Sequence, residues 1–253
     1  MGVLNTTPDS FSDGGSFIST EVAVQRAHQM LSEGAHIIDV GGESSRPGAD
    51  PVSVAEELAR VIPVVEQLAG TCVISIDTAK EEVADAALDA GAHLVNDITA
   101  SLEDVAAHHG AGWIAMHMLG EPRTMQDNPT YGDVVAEIHD ELADAANRAT
   151  NAGVQRFWLD PGIGFGKSTK HNLNLLRDLD LLTNVGPKMA IGVSRKRFIG
   201  QLHAASDGVD AVDAGDRLAG SVLCAAWAYG RGVHIVRAHD VRATARAAAL
   251  ITP

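Results

Sequence analysis

Short, near-continuous apolar runs recur about every 30 residues, each followed by a polar or glycine-rich stretch and then by apolar positions at helical spacing. The runs at 3–4, 37–40, 73–76, 94–95, 113–116, 157–159, 189–193 and 235–236 read as strands. They do not alternate apolar with polar, which suits strands covered on both faces. Between them, Val22, Ala27, Met30 and Leu31 fall on one helical stripe, with Ser19 or Thr20 as its cap and Gly34 at its stop. The same spacing recurs in Val54, Leu58, Val61, Val65 and Leu68, in Val134, Val135, Ile138, Leu142 and Ala145, and in Leu218, Val222 and Ala225.

Regular strand–helix alternation with short connections implies parallel strands and right-handed crossovers. Eight such units in 253 residues predict an α/β chain forming one (β/α)8 TIM barrel domain over residues 1–253. A doubly wound open sheet uses the same local pattern. The strand count, and the lack of a Gly-x-Gly-x-x-Gly run after the first strand, favour the barrel.

The longest stretches after strands, at 5–19, 41–51 and 118–133, would then crowd the face where barrels carry their chemistry. Strand ends deliver Asn5, the run 41–48, Asp77, Asn96, Met116 with His117, the run 160–167, Ser194 through Arg197, and Arg237 through Asp240. Asp77, Asn96 and Asp160, with Lys196, can accept and donate in one plane, as a flat heterocycle with amino and oxo groups requires. Ser45, Arg46, Arg237 and His239, with Asn5 nearby, suit a phosphate or pyrophosphate, since arginine grips such oxygens bidentately. The competing readings are helix capping by the acids and salt bridging of the cations to Asp240 or Glu43.

Composition narrows the partners. A net charge of −14 and 4% aromatics argue against nucleic acid, so an anionic ligand needs that local cation cluster. Cys72 and Cys224 lack metal or redox spacing and read as small residues of a reducing cytoplasm. The longest apolar run, 218–230, is too short to span a bilayer, and no secretory leader is expected. No zincin pair, nucleophile elbow or Walker loop is present, and Met116, Met118 and Met125 read as pocket wall.

The opening Met1 to Gly15 and the run Ile38-Asp39-Val40-Gly41-Gly42-Glu43-Ser44-Ser45-Arg46-Pro47-Gly48 resemble two signatures of the dihydropteroate synthases. The likeness continues through Ser75-Ile76-Asp77-Thr78, Val95-Asn96-Asp97-Ile98, Met116-His117-Met118, 160–167, Ser194-Arg195-Lys196 and 237–241. It implies a (β/α)8 homodimer that joins 6-hydroxymethyl-7,8-dihydropterin pyrophosphate to p-aminobenzoate with Mg2+ present, and that is a sulfonamide target. Carried over position by position, Asp77, Asn96, Met116, Asp160, Phe165 and Lys196 become the pterin pocket. Asn5, Ser45, Arg46, Arg237 and His239 become the pyrophosphate site, Asn5 also as metal ligand, and Phe11, Pro47 and Ser194 the p-aminobenzoate contacts. Asp77, Lys196 and Arg237 become the catalytic set, and 11–15 a mobile lid.

Position 45 is Ser where many members have Thr, and the chain begins inside the first strand where many have further residues. A pterin-dependent methyltransferase on the same barrel would share the three polar strand ends but needs no pyrophosphate clamp. A catalytically silent pterin-binding paralogue would be expected to have lost site residues, and none is lost.

Overall fold

The computed structural model describes residues 1–7, 20–44 and 49–251. Its strands are β1 (Gly2–Asn5), β2 (Ile37–Gly41), β3 (Val73–Asp77), β4 (Leu94–Asp97), β5 (Gly112–Met116), β6 (Arg156–Asp160), β7 (Ala190–Gly192) and β8 (Ile235–Arg237). The helices are α1 (Thr20–Ser32), α2 (Val54–Leu68), α3 (Glu81–Asp89), α4 (Glu103–His108), α5 (Val134–Ala152), α6 (Thr169–Arg177), α7 (Leu179–Leu182), α8 (Arg197–Asp207), α9 (Leu218–Tyr229) and α10 (Val241–Ala248).

Strands β1 to β6 pair in sequence order, all parallel, and β7 pairs with β8. Two isolated parallel bridges, Leu159 with Met189 and Gly2 with Ala238, join the two sheets. At these seams Leu159 N donates to Lys188 O and Val3 N to Ala238 O, each at 3.1 Å. The ring is therefore closed, and the expected eight-stranded barrel is the observed one.

Period-two alternation explains why the runs looked uniformly apolar. Ile38, Val40, Ile74, Ile76, Val95, Trp113, Leu159 and Ile191 belong to the large core between barrel and helices. The alternate positions form a small interior plug of Ile114, Ala190 and Ile235, with Ile37 and Trp158 against it. Two residues further along β2, β6 and β8, the same side of the strand carries Asp39, Asp160 and Arg237. Parallel register places Asp39 beside Ser75, Gly41 beside Asp77, and Asp77 beside Asn96. The sequence thus changes from apolar to polar on the inside of the barrel as the strands approach their carboxyl ends.

The helices follow ordinary local rules. Ser53 caps α2 by accepting from Glu56 N, Asp133 caps α5, and left-handed Gly153 ends α5. Two expected stripes are corrected. In α1 the buried set is Ala23, Ala27 and Met30, and Val22 faces out. In α9 it is Ser221, Ala225 and Ala228, which leaves Leu218 outside. That helix is apolar nearly all round, so its spacing did not mark the inner face. Among the described residues no helix is long and apolar enough to cross a membrane.

Candidate active site

A cavity of about 860 Å³ opens at the carboxyl end of the barrel, with Asn5, Phe165, Ser194, Lys196, Arg237 and His239 on its wall. Asp77, Asn96, Met116 and Asp160 are buried and off that wall. Arg237 links the two groups. Its Nε donates to Asp39 Oδ2 and its Nη2 to Asp77 Oδ2, and Asn96 Nδ2 donates to the same Asp39 oxygen at 3.1 Å. The two subsets separated by chemistry in the sequence therefore share one salt-bridged centre. Ser194 Oγ, meanwhile, accepts from His239 N at 3.1 Å and meets His239 Nδ1 at 3.1 Å, tying β7 to β8 across the cavity wall.

Burial decides the electrostatics. It raises the Asp77 carboxyl well above the usual carboxylate range despite Arg237 alongside, with Asp39 and Glu57 adding to the rise. It raises Asp160 to about 6, opposed by the Gly162 N–H and by Lys196. Lys196 is pushed down to about 7 by burial and by Arg237, with Asp160 and Asp77 pulling the other way. Its Nζ lies 4.0 Å from the centre of the Phe165 ring.

The 160–167 loop earns its glycines by close approach. At Gly162 (φ +64°) a Cβ would lie 1.8 Å from His117 O, and at Gly166 (φ +60°) 2.3 Å from Leu119 O. Asp160 Oδ1 accepts from Gly162 N at 2.7 Å, so the site carboxylate also shapes its own loop. Lys167 lies buried inside the turn, donating to Phe165 O at 2.9 Å and meeting His117 Nδ1 at 2.8 Å. Burial lowers Lys167 to about 7 and His117, with Lys167 beside it, to about 3. Around the loop after β2, Lys80 Nζ bridges Glu43 and the fully buried Glu57, and Glu43 also accepts from Val52 N at 3.1 Å.

The carboxylate of Asp97, outside the candidate set, shapes the loop before α4 by accepting from Thr99, Ser101 and Leu102 N–H groups and from Trp113 Nε1. Its neighbour Asn96 points the other way, to Asp39. Salt bridging to Asp240 holds for Arg195, through bonds of 2.9 and 2.6 Å, rather than for Arg237. Phe11, Ser45, Arg46, Pro47 and the stretch 11–15 expected as a lid lie outside the described residues. Among the described residues no group of three or more His, Cys, Asp or Glu side chains is placed to hold a metal. Met116 and Phe165 pack with Met125, Ile98 and Met118 into one apolar wall.

Sequence reasoning passed over Asp39, Lys167 and His117 as functional candidates. For Asp39 the signal was present: one acid within Ile37-Ile38-Asp39-Val40, where a charge is almost never buried unless paired.

The family model for "Pterin binding enzyme" matches residues 1–239. The dihydropteroate synthase of Escherichia coli (strain K12) is 46% identical over 255 residues, covering 98% of this chain and 88% of that protein. That of Synechocystis sp. is 45% identical, covering 97% and 86%. A Yersinia pestis dihydropteroate synthase solved as a sulfonamide drug complex superposes with a TM-score of 0.91 at 43% identity, over 99% of this chain and 91% of that one. A Xanthomonas albilineans dihydropteroate synthase solved with 4-aminobenzoic acid gives 0.89 at 43% identity, over 98% and 90%.

Proposed function

The chain belongs to the pterin-binding enzymes, among the dihydropteroate synthases, and from that premise we propose how its barrel mouth performs the transfer. The reaction joins 6-hydroxymethyl-7,8-dihydropterin pyrophosphate to p-aminobenzoate, giving 7,8-dihydropteroate and pyrophosphate. The observation that carries the reading is the shared centre of Arg237, Asp77, Asp39 and Asn96, in which Arg237 stands on the cavity wall and the acids and amide lie buried behind it. It sets acceptors for a flat amino-oxo heterocycle directly against a cation for a leaving phosphate.

In the transfer the bond between the pterin methylene carbon and the pyrophosphate oxygen breaks. The arylamine nitrogen bonds that carbon and its surplus proton passes to solvent. Asp77, Asn96 and Asp160 hold the pterin edge, Lys196 covers it, and Met116 and Phe165 wall it. As the bond breaks, positive charge grows on the methylene and negative charge on the departing oxygen. Asp77 stabilises the first and Arg237 the second, so drawing the guanidinium toward pyrophosphate unmasks the carboxylate where it is needed. The arylamine is neutral at physiological pH, so positioning rather than a strong base carries the rate.

His239 and Arg237, with Ser45 and Arg46, take the pyrophosphate, and Ser194 with Phe11 and Pro47 takes p-aminobenzoate. Asn5 on the cavity wall fits Mg2+, a hard cation that takes one or two protein oxygens and completes its shell with substrate phosphate and water. When bound, Mg2+ neutralises charge on the leaving pyrophosphate. Leu173, Leu202, Leu223 and Trp227 lie exposed on α6, α8 and α9, and Trp227 Nε1 reaches back to Leu176 O at 2.7 Å. This apolar face supports a homodimer through two copies of itself, in the cytoplasm.

The test is incubation with the pterin pyrophosphate, p-aminobenzoate and Mg2+, following dihydropteroate by mass. A folded protein that binds pterin and makes no product overturns the reading. Arg237→Ala is expected to lower pyrophosphate-dependent turnover by about 100-fold while weakening free pterin less, because the transition-state charge sits on the leaving group. Equal losses would put Arg237 in the wrong subsite.

A further inference from the structure

Asp39 lies where the acceptor set and the cation set meet, two residues before the carboxyl end of β2. Its side chain is completely buried. One oxygen, Oδ2, accepts from both Arg237 Nε and Asn96 Nδ2. The other, Oδ1, has no hydrogen-bond partner, nor does Ser75 Oγ beside it in register on β3. A buried carboxylate left half-unpaired is costly, and apolar side chains of similar volume often serve stability better. The adjoining interior layer of Ile114, Ala190 and Ile235 is apolar.

We infer that Asp39 is a positioning residue for the transfer, fixing the direction of both the Arg237 guanidinium and the Asn96 amide. The inference rests on the function proposed above. An ionised carboxylate only accepts hydrogen bonds. It therefore holds the Asn96 NH2 toward itself and leaves the amide carbonyl for the ligand. That makes the position select a heterocycle presenting N–H and refuse one presenting a carbonyl. Likewise, with Nε committed to Asp39, the terminal nitrogens of Arg237 are the ones that meet phosphate oxygens. When Nη2 leaves Asp77 for the pyrophosphate, the Asp39 bond keeps the guanidinium in place.

Asp39→Asn keeps the shape but can present either a donor or an acceptor, so it releases both constraints. We expect kcat to fall about 100-fold, the scale of a misplaced reacting group, with KM for p-aminobenzoate unchanged. Binding by calorimetry supplies the selectivity readout. Wild type should prefer 6-hydroxymethylpterin over its 2,4-dioxo counterpart, and Asp39→Asn should narrow that preference about tenfold or more, as mismatched buried polar groups do. A lower melting temperature with unchanged kcat and unchanged preference overturns the inference and leaves a structural role. A third measurement needs no Asp39 variant: the Arg237 Nε–H signal, assigned by its loss in Arg237→Lys, should be protected from solvent exchange in the wild-type protein. Fast exchange there also overturns it. Wild-type turnover with an indifferent Asp39→Asn defeats this inference alone, whereas a wild type that binds no pterin defeats both readings.

Discussion

Lys196 shows how the site sets stability against chemistry at the scale of one side chain. It titrates near 7 in the folded protein against 10.5 for the free side chain. Between those values the unfolded chain binds a proton the folded one lacks, so this group's contribution rises with pH from about 7 to 10.5 and is lost as pH falls. Asp160, near 6 against 3.8, acts in the opposite sense: its contribution is present below 3.8 and is lost as pH rises through 6. The free protein therefore carries both burdens most fully near neutrality, each with a slope of roughly 1.4 kcal/mol per pH unit inside its window. Lys196→Met should accordingly melt higher than wild type at pH 7, by about 2–4 °C for each kcal/mol relieved, with turnover lost. Calorimetric scans should show that advantage shrinking toward pH 10. Lys196 could be picked out from sequence because it lies in the polar run that follows a strand. Asp39, two residues before the end of its strand, carried only the signal of a lone acid in an apolar run, and it takes the closed barrel to reveal that its inward neighbours are Arg237 and Asn96.

At the scale of elements, the 160–167 loop acts as a fitted piece rather than a flexible connection. Gly162→Ala must push a methyl into His117 O from a left-handed backbone, and should cost at least about 3 kcal/mol and remove pterin binding with it. Gly208→Ala is the control: it is also left-handed, at φ +69°, but nothing lies within 4 Å of the added carbon. It should cost about 1 kcal/mol and leave binding alone. Paired thermal melts and calorimetric titrations check both. All eight strands were legible because each has one face against the helices, giving apolar runs that no loop imitates. The inner face of α9 was not, because a helix apolar on several sides gives spacing no single answer. Nor does sequence distinguish a glycine that ends a helix in open space from one that another backbone presses upon.

For the whole molecule, the apolar outer face of α6, α8 and α9 is the feature to test. Leu223→Asp with Trp227→Asp places charges on exposed positions, away from the barrel core. Under the proposed homodimer, sedimentation should show the wild type at twice the chain mass and the variant as a folded monomer, whereas equal masses overturn this interface. The net charge of −14 also sharpens the anion problem read from composition. Arg237 is already paired with two acids of its own chain, so under the proposed function incoming pyrophosphate would compete for a placed cation rather than recruit a loose one. That pairing joins β2, β3 and β8, which no local sequence window contains.

The two seams give the barrel an uneven grip on its own backbone. Strands β1 to β6 are laced by continuous ladders, while β7 and β8, three residues each, join them through single bridges. Amide hydrogen exchange should therefore run fastest in β7 and β8 and slowest in β2 to β5. Lys196 and Arg237 stand on that looser segment and Asp77, Asn96 and Asp160 on the tighter one. In the binding mode proposed above, pterin pyrophosphate would span both, and it should slow exchange chiefly at Met189, Val236 and Ala238. In that binding mode the substrate would complete the lacing that the strands leave unfinished.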